Sequence, residues 1–199
     1  MRAASSLPYR LGLTSWDKTG PDADAAFMRM LDREELERDA PFGRALDLGC
    51  GTGAHTRQLR ERGWEATGID NVRRAVDVAI LRSDENSRYV IGDVDHLEGC
   101  GVGTGFSFYL DMGCFHELTD DARMAMGQGV TALAEKDATL LMLCFEPQRN
   151  PLVPRGAHVD DARRALPGWT LLDARSADTT TLPDSLGRHA PQWFRFGLN

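Results

Sequence analysis

A glycine-rich run is the first feature of this sequence with a clear chemical use. The segment Gly49–Gly53 has the sequence GCGTG and lies between a short apolar stretch and a helical pattern. Glycines at such a junction let the backbone turn sharply and approach a ligand closely. In open α/β sheets, nucleotide-type ligands meet the protein at this strand-to-helix turn. We therefore expect a nucleotide-like ligand over this run.

The charges around the run decide between two classes of ligand. Gly49, Gly51 and Ala54 satisfy the dinucleotide pattern GxGxxG/A, which favours a nicotinamide dinucleotide. Asp47 argues against it, because a carboxylate just before the loop repels a pyrophosphate but accepts hydrogen bonds from an ammonium group. Asp93 ends a third apolar stretch, where it can hold an adenine amino group. The carboxylates favour an adenosyl amino acid.

Together these segments resemble the class I S-adenosylmethionine-dependent methyltransferases. The run Leu46–Gly53 is similar to their first motif, and Asp70 is similar to the acidic residue that takes the ribose hydroxyls. Gly92–Val94 is similar to the third-strand motif at the adenine. Asp111–His116 is similar to the segment after the fourth strand, which runs past the methionine moiety. Trp16–Asp17 is similar to a Trp-Asp motif of small-molecule members, where the tryptophan helps close the cofactor site.

The resemblance implies a cofactor and a set of residues that contact it. The expected cofactor is S-adenosylmethionine, with S-adenosylhomocysteine as product, and no metal is expected. The residues expected to bind the cofactor are Trp16, Asp47, Gly49, Cys50, Gly51, Gly53, Asp70, Asn71, Asp93, Val94 and Asp111.

His116 is the candidate catalytic residue. Methyl transfer from a sulfonium is an in-line displacement, so much of the catalysis can come from holding donor and acceptor in line. A base helps where the acceptor carries a proton that must leave. His116 lies in the loop expected beside the methyl group, and the intrinsic pKa of histidine lies near neutrality. The alternative is that His116 only hydrogen-bonds the backbone or packs under the loop. Glu117 is a weaker candidate.

An acceptor pocket is expected above the sheet, with aromatic faces that suit a planar acceptor and a sulfonium charge. Ordinary core packing is the alternative for each of these side chains. Arg149 and Arg155 are candidates for holding an anionic acceptor or are merely solvated, and His55 is expected beside the cofactor's carboxylate. The expected pocket residues are Met112, Phe115 and Phe145, with Trp16 and Trp193 nearby.

Alternating apolar and amphipathic stretches predict the scaffold that positions these residues. Apolar residues throughout 138–145 are typical of the middle of a parallel sheet. The last two strands have no clear helix between them, which predicts an antiparallel hairpin at the sheet edge. The expected fold is α/β, a doubly wound Rossmann-like seven-stranded sheet, mostly parallel with an antiparallel final hairpin. The predicted strands are Arg44–Leu48, Ala66–Ile69, Tyr89–Ile91, Phe106–Leu110, Ala138–Phe145, Trp169–Arg175 and Gln192–Gly197. The predicted helices are Asp22–Arg38, Ala54–Arg62, Arg73–Arg82, one capped by Thr119 with Met126, Val130 and Leu133 on its apolar face, and Val159–Leu166.

Length and composition limit the class of protein. The 199 residues fit a single methyltransferase domain, 1–199, with 1–40 as a helical cap over the cofactor site and 41–199 as the Rossmann-like core. A formal net charge of −7 argues against a nucleic-acid partner. The four cysteines show no CxxC spacing and are expected as buried free thiols.

Localisation follows from what the apolar stretches allow. The first residues lack the apolar core of a secretory signal, and no apolar run reaches the roughly 20 residues that span a bilayer. We expect a cytoplasmic monomer or homodimer that has no membrane partner.

Three functions are compatible with this pattern. The first is methyl transfer from S-adenosylmethionine to O, N or S of a small-molecule acceptor. The second is a nicotinamide-dinucleotide-dependent reductase, which Asp47 and Asp93 disfavour, as does the lack of a Tyr-x-x-x-Lys pair. The third is a non-catalytic S-adenosylmethionine-binding protein, although the binding motifs show no degenerate position.

Overall fold

One seven-stranded sheet organises the chain, in the order β3-β2-β1-β4-β5-β7-β6. The computed structural model describes residues 21–84, 87–147, 155–177 and 191–199. The strands are β1 Arg44–Leu48, β2 Glu65–Asp70, β3 Arg88–Ile91, β4 Phe106–Met112, β5 Ala134–Cys144, β6 Trp169–Ser176 and β7 Gln192–Leu198. The helices are α1 Pro21–Leu36, α2 Ala54–Glu61, α3 Arg73–Leu81, α4 Asp120–Leu133 and α5 Val159–Ala165.

The strand directions confirm the predicted fold class. Strands β3, β2, β1, β4 and β5 pair in parallel, whereas β7 pairs antiparallel with both β5 and β6. The final hairpin therefore places its second strand inside the sheet and its first strand at the edge. Because the parallel strands share a direction, the residues that follow β1, β2, β3, β4 and β5 all emerge at one edge of the sheet.

Several element boundaries differ from the prediction. Strand β5 begins at Ala134, four residues before the predicted start, because the exposed residues at 135–137 continue the strand without an apolar pattern. Two 3₁₀ segments, Val94–Cys100 and Phe115–Glu117, were not predicted, since such short turns carry no periodicity. Thr119 is confirmed as the N-cap of α4, with its hydroxyl accepting from the amide of Ala122 at 3.3 Å.

Two hydrophobic cores cover the two faces of the sheet. On one face, the predicted apolar stripe of α4 (Met126, Val130 and Leu133) packs into the larger core and is buried. On the other face, Phe27 and Leu31 of α1 are fully buried beside residues of α2 and β4. Helix α1 is therefore one layer of the core. The rest of the predicted cap, residues 1–20, lies outside the described residues.

A buried ionic network fastens α1 to the sheet, a feature that the sequence did not indicate. Glu34, 1% exposed, accepts hydrogen bonds from Arg195 at 2.7 Å, from Arg38 at 2.7 Å and from the hydroxyl of Thr139. Burial opposes ionisation, but the hydrogen bonds of Arg195 and Thr139 hold the pKa of Glu34 below its usual value. Removing one partner of such a buried pair typically costs about 3–5 kcal/mol.

The cysteines and helices give two further results. All four cysteines are free thiols as predicted, but only Cys50 and Cys144 are buried, whereas Cys100 and Cys114 are partly exposed. Among the helices in the described part of the chain, none combines the length and apolar character needed to cross a bilayer.

Candidate functional site

The glycine run forms a tight loop at the carboxyl end of β1. Gly49, Gly51 and Gly53 have φ values of +70°, +54° and +76°, which side-chain-bearing residues rarely adopt. Space is also limited, because a Cβ on Gly49 would lie 2.8 Å from Cβ of Cys114. A Cβ on Gly53 would lie 2.6 Å from the hydroxyl of Tyr89. Backbone geometry and packing both require glycine at these two positions.

Asp70 joins this loop to the end of β2. One carboxylate oxygen accepts from the amide of Gly51 at 2.9 Å, and the other accepts from the amide of Val72 at 2.8 Å. Asn71 continues the chain of contacts, because its side-chain amide donates to Asp93 at 2.6 Å. The structure therefore brings Gly51, Asp70, Asn71 and Asp93 together across the ends of three strands. Their contacts with a cofactor stay a prediction.

Asp47 is buried at the base of the loop. Its carboxyl group is 1% exposed and accepts a hydrogen bond from the hydroxyl of Thr56 at 2.6 Å. Burial raises the pKa of Asp47 to about 7; the Thr56 hydrogen bond opposes this shift, and the nearby carboxylates of Asp111 and Asp70 reinforce it. Near neutral pH this carboxyl group is therefore partly protonated, and a cation bound beside it would favour loss of the proton.

Asp111 has an internal partner for each oxygen. It is fully buried and accepts from the amides of Gly113 at 3.0 Å, Cys114 at 2.8 Å and Phe115 at 2.9 Å. Burial raises the pKa of Asp111 to about 6, although the amide hydrogen bonds and His116 act in the opposite direction. Its observed role is to fold the turn after β4. Direct contact with the cofactor stays a prediction.

His116 lies in that turn and is almost fully buried. Its Nδ1 accepts from the amide of Phe145 at 3.4 Å, and its ring meets the Phe145 ring edge-on at 5.1 Å. The backbone hydrogen bond considered as the alternative role is therefore present. With Nδ1 as acceptor, the neutral ring carries its proton on Nε2, which lies 3.7 Å from Oε1 of Glu117. In this arrangement His116 offers a hydrogen-bond donor at Nε2.

The predicted pocket residues do not all line an open surface. Met112 and Phe145 are half-buried, as a pocket wall requires. Phe115 is 1% exposed and packs in the larger core beneath the guanidinium of Arg123, so its ring is a core contact instead of an exposed wall. Trp193 is likewise buried, in the smaller core.

Other predicted positions give mixed results. His55 contacts the ring of Phe27 edge-on at 4.9 Å, and burial lowers the pKa of His55 to about 4, so it is neutral near pH 7. Val94 is buried in the core at the start of a 3₁₀ segment. Arg155 is exposed. Trp16 and Arg149 lie outside the described residues.

Cys50 lies within the loop and Cys114 packs beside it, and both are weakly acidic thiols. Burial, followed by nearby carboxylates, raises the pKa of each thiol well above its usual value. Within the described residues, no cluster of histidine, cysteine or carboxylate side chains is suited to hold a metal ion.

Two residues important to this site were missed from the sequence. Thr56 holds Asp47, but a threonine on a helix gives no signal of that contact. Arg123 did leave a signal, because it lies three and seven residues before Met126 and Val130, on the apolar face of α4. A charged residue on an apolar face is unusual and indicates a buried, partnered role.

Comparison with protein-family models places a methyltransferase domain at residues 45–136. A 2-heptyl-1-hydroxyquinolin-4(1H)-one methyltransferase of Mycobacteroides abscessus is 27% identical over 127 residues, which are 62% of this chain and 55% of that relative. A trans-aconitate 2-methyltransferase of Deinococcus radiodurans is 35% identical over 78 residues, which are 38% of this chain and 30% of that relative. The chain thus spans about half or less of the length of these relatives.

Solved structures share the fold at low sequence identity. The 1,6-didemethyltoxoflavin-N1-methyltransferase of Burkholderia thailandensis, bound to S-adenosylhomocysteine, matches with a TM-score of 0.73 and 22% identity, over 96% of this chain and 84% of that chain. The N-methyltransferase NodS of Bradyrhizobium japonicum, also with S-adenosylhomocysteine, matches with a TM-score of 0.70 and 17% identity, over 91% and 89% of the two chains.

Proposed function

We propose that this chain is a class I S-adenosylmethionine-dependent methyltransferase that transfers the methyl group of S-adenosylmethionine to an O, N or S atom of a small acceptor molecule. The cofactor lies over the loop Gly49–Gly53, with its amino acid end toward Asp47 and its adenosyl end toward Asp70 and Asp93. S-adenosylhomocysteine is then the product that leaves the same site.

The buried carboxyl group of Asp47 is the observation that carries this proposal. Thr56 donates to it through its hydroxyl, the carboxylates of Asp111 and Asp70 lie nearby, and it forms no ion pair with any of the described residues. An ammonium group beside it would supply the missing positive charge and two or more donors. A diphosphate would add negative charge to Asp47, Asp70 and Asp111, which is electrostatically unfavourable at low dielectric. These carboxylates, which accept hydrogen bonds and carry negative charge, therefore fit an adenosyl amino acid better than a dinucleotide.

The adenosyl end rests on acidic groups at the ends of β2 and β3. Asp70 is 8% exposed and is held in place by the amides of Gly51 and Val72, so its orientation is set before a ligand arrives. Carboxylates accept hydrogen bonds from ribose hydroxyls and from the adenine amino group. Asn71 ties Asp93 to the same surface, and Val94 packs beneath it.

The turn after β4 faces the acceptor side of the site. When bound, S-adenosylmethionine supplies a methyl group that its sulfonium already activates. His116 offers the Nε2 proton to orient an acceptor atom, and the half-exposed carboxylate of Glu117, 3.7 Å from Nε2, is the group that takes up the proton that leaves the acceptor. Cys114, packed on Gly49, sets the distance between this turn and the glycine loop.

The finer features of the function are also proposals. The hydroxyquinolone, trans-aconitate and didemethyltoxoflavin methyltransferases named above have small-molecule acceptors in their names, which supports a small-molecule acceptor for this chain. The chain works as one domain, in the cytoplasm, as a monomer or homodimer, with no nucleic acid or membrane as partner. Met112 and Phe145 contribute to the acceptor pocket, together with Trp16 from the N-terminal segment.

Calorimetry with S-adenosylmethionine, S-adenosylhomocysteine and NADH tests the cofactor. We expect both sulfur compounds to bind and NADH not to bind; NADH binding alone would overturn the proposal in favour of the reductase. Turnover is then followed as S-adenosylhomocysteine formed with 1-hydroxyquinolin-4(1H)-one, trans-aconitate or 2-mercaptopyridine as acceptor. Binding of the cofactor without turnover of these or a wider panel of acceptors would favour a non-catalytic binding protein.

A further inference from the structure

Arg123 of α4 is a buried cation with several hydrogen-bond partners beside the turn after β4. Its side chain is 7% exposed. Its Nε donates to the carbonyl of Phe115 at 3.2 Å, and its Nη2 donates to the carbonyls of His116 at 3.3 Å and Gly156 at 2.5 Å. Three backbone carbonyls from two separate segments therefore converge on one guanidinium group.

Carboxylates and a ring complete the surroundings of Arg123. Nη1 lies 3.5 Å from Asp120 on the same helix and 3.8 Å from Asp161 on α5. The guanidinium carbon lies 5.1 Å from the centre of the Phe115 ring. Because a guanidinium is planar and donates in fixed directions, it fixes the relative positions of the groups that it bonds, as a flexible ammonium would not.

The two segments that Arg123 joins both border the acceptor side. One is the turn after β4 with His116. The other follows β5, where the amide of Ala157 donates to the carbonyl of Phe145 at 2.8 Å. Gly156 packs so closely there that a Cβ would lie 2.4 Å from the backbone of Pro147, and its φ is +75°. Phe145 in turn donates its amide to His116.

We propose that Arg123 is a positioning residue of the transferase: by holding the carbonyls of Phe115, His116 and Gly156 together, it sets where His116 stands relative to an acceptor. Arg123 acts through these groups and does not itself touch a substrate. The inference rests on the proposed function, because the acceptor side has this meaning only if an acceptor binds there. The glycine loop has its own anchors in Asp70 and Asp47, neither of which is bonded to Arg123.

The first test is Arg123→Lys in the full chain, with Arg163→Lys as the matched control, because Arg163 makes an exposed ion pair with Asp160 at 2.8 Å on α5. Amide hydrogen exchange can be measured without knowing which molecule accepts the methyl group. We expect exchange at 113–118 and 156–157 to rise at least about tenfold in Arg123→Lys, the factor for losing a charged hydrogen bond. Exchange at 50–53 and the affinity for S-adenosylhomocysteine should stay within about twofold of the wild-type values.

The kinetic test uses whichever of the three named acceptors the wild-type protein methylates fastest. Arg123→Lys should raise KM for that acceptor and lower kcat, with KM for S-adenosylmethionine unchanged, and Arg163→Lys should change none of them. A loss of cofactor affinity as large as the rise in KM for the acceptor would overturn the proposal, since it would show that Arg123 has a general structural role. So would unchanged exchange and unchanged acceptor kinetics.

A second variant covers the case in which Arg123→Lys does not fold. Gly156→Ala keeps the guanidinium of Arg123, but the added Cβ meets Pro147 and displaces the Gly156 carbonyl to which Arg123 donates. The same pattern of exchange and kinetics is therefore expected. If neither variant changes amide exchange at 113–118 and 156–157 or the kinetics with the methyl acceptor, the proposal fails. The two proposals fail separately: a wild-type protein that does not bind S-adenosylmethionine contradicts the proposed function, whereas the exchange pattern alone decides whether Arg123 positions the turn.

Discussion

The cofactor side and the acceptor side of this site are built in opposite ways. On the cofactor side, three glycines adopt left-handed backbone conformations around the buried carboxyl group of Asp47, whose pKa is raised to about 7 by burial and by neighbouring carboxylates. On the acceptor side, Asp111 accepts from backbone amides and Arg123 donates to backbone carbonyls, so both buried charges have partners within the protein.

This difference shows what each half needs from a ligand. A buried ionisable carboxyl group that forms no ion pair with any described residue is costly to ionise in the free protein, and its ionisation becomes favourable when a cation binds beside it. The buried charges of the acceptor side, Asp111 and Arg123, already have partners within the protein and do not require a charged ligand. The energetic link between folding and binding should therefore be concentrated on the cofactor side.

The largest effect is expected from Asp47→Asn. Between pH 3.8, where the unfolded carboxyl titrates, and about 7, the folded protein retains a proton that the unfolded chain has released. The free energy of unfolding of the ligand-free protein therefore falls as pH rises through this window. Asp47→Asn removes this cost, so the variant should be more stable at pH 8 by on the order of 1–4 kcal/mol, at about 1.4 kcal/mol per pKa unit.

Urea unfolding from pH 4 to 8 measures the free energy of unfolding, and calorimetry with S-adenosylmethionine measures the cofactor affinity. The stability gain of Asp47→Asn should vanish near pH 4, while its cofactor affinity falls at pH 8. Wild-type binding at pH 6 should release a proton, seen as a dependence of the binding heat on the buffer. Asp77→Asn, the same change at an exposed position of α3, serves as control. A variant that loses stability at pH 8 would contradict the comparison.

Gly49→Ala should weaken cofactor binding on the order of 100-fold, because the new methyl group meets Cys114 and must displace the loop. Gly63→Ala is a matched control: Gly63 also has a positive φ, +102°, but nothing lies within 4 Å of an added Cβ. Both variants should lose about 1–2 kcal/mol of stability from backbone strain. Only Gly49→Ala should lose affinity for S-adenosylhomocysteine in calorimetry. Equal affinities in the two variants would show that loop geometry does not matter.

Asp70→Ala should weaken cofactor binding by about 1–3 kcal/mol, the scale for hydrogen bonds to a charged group. The loss combines missing contacts to the ligand with a looser loop, since Gly51 loses the acceptor of its amide. Asp77→Ala provides the control in the same calorimetric titration. An unchanged affinity in Asp70→Ala would remove the ribose contact from the proposed site.

Sequence reasoning predicted the glycine loop and the acidic residues gathered around it because these parts are local. The glycine run is contiguous, and Asp70 and Asp93 end strands whose carboxyl ends must meet at one edge of a parallel sheet. A short pattern of residues therefore fixes both the loop and its neighbours. The seven-stranded fold with its antiparallel finish followed from the same alternation of strands and helices.

The acceptor side depends on contacts between distant residues, which no local pattern encodes. Arg123 and Gly156 are 33 residues apart, and the Glu34–Arg195 pair that docks α1 spans 161 residues. Phe115 was predicted as a pocket wall because it lies in the segment expected beside the methionine moiety, but its burial depends on where Arg123 and α4 pack. Side-chain direction in a short turn is set by tertiary contacts, so the sequence predicted the presence of His116 there but not its tautomer.

The smallest effect is expected from Thr119→Ala at the N-cap of α4. This variant tests whether the acceptor side can be weakened without changing cofactor binding. Loss of the hydroxyl that accepts from Ala122 should cost about 1 kcal/mol of stability. Thr119→Ser keeps the cap and should stay close to the wild-type stability. Because α4 carries Arg123 but contributes nothing to the glycine loop, the affinity for S-adenosylhomocysteine should be the same in all three proteins. If weakening this cap lowers cofactor affinity as well, the two halves are coupled through α4, and the independence argued from their contacts is wrong.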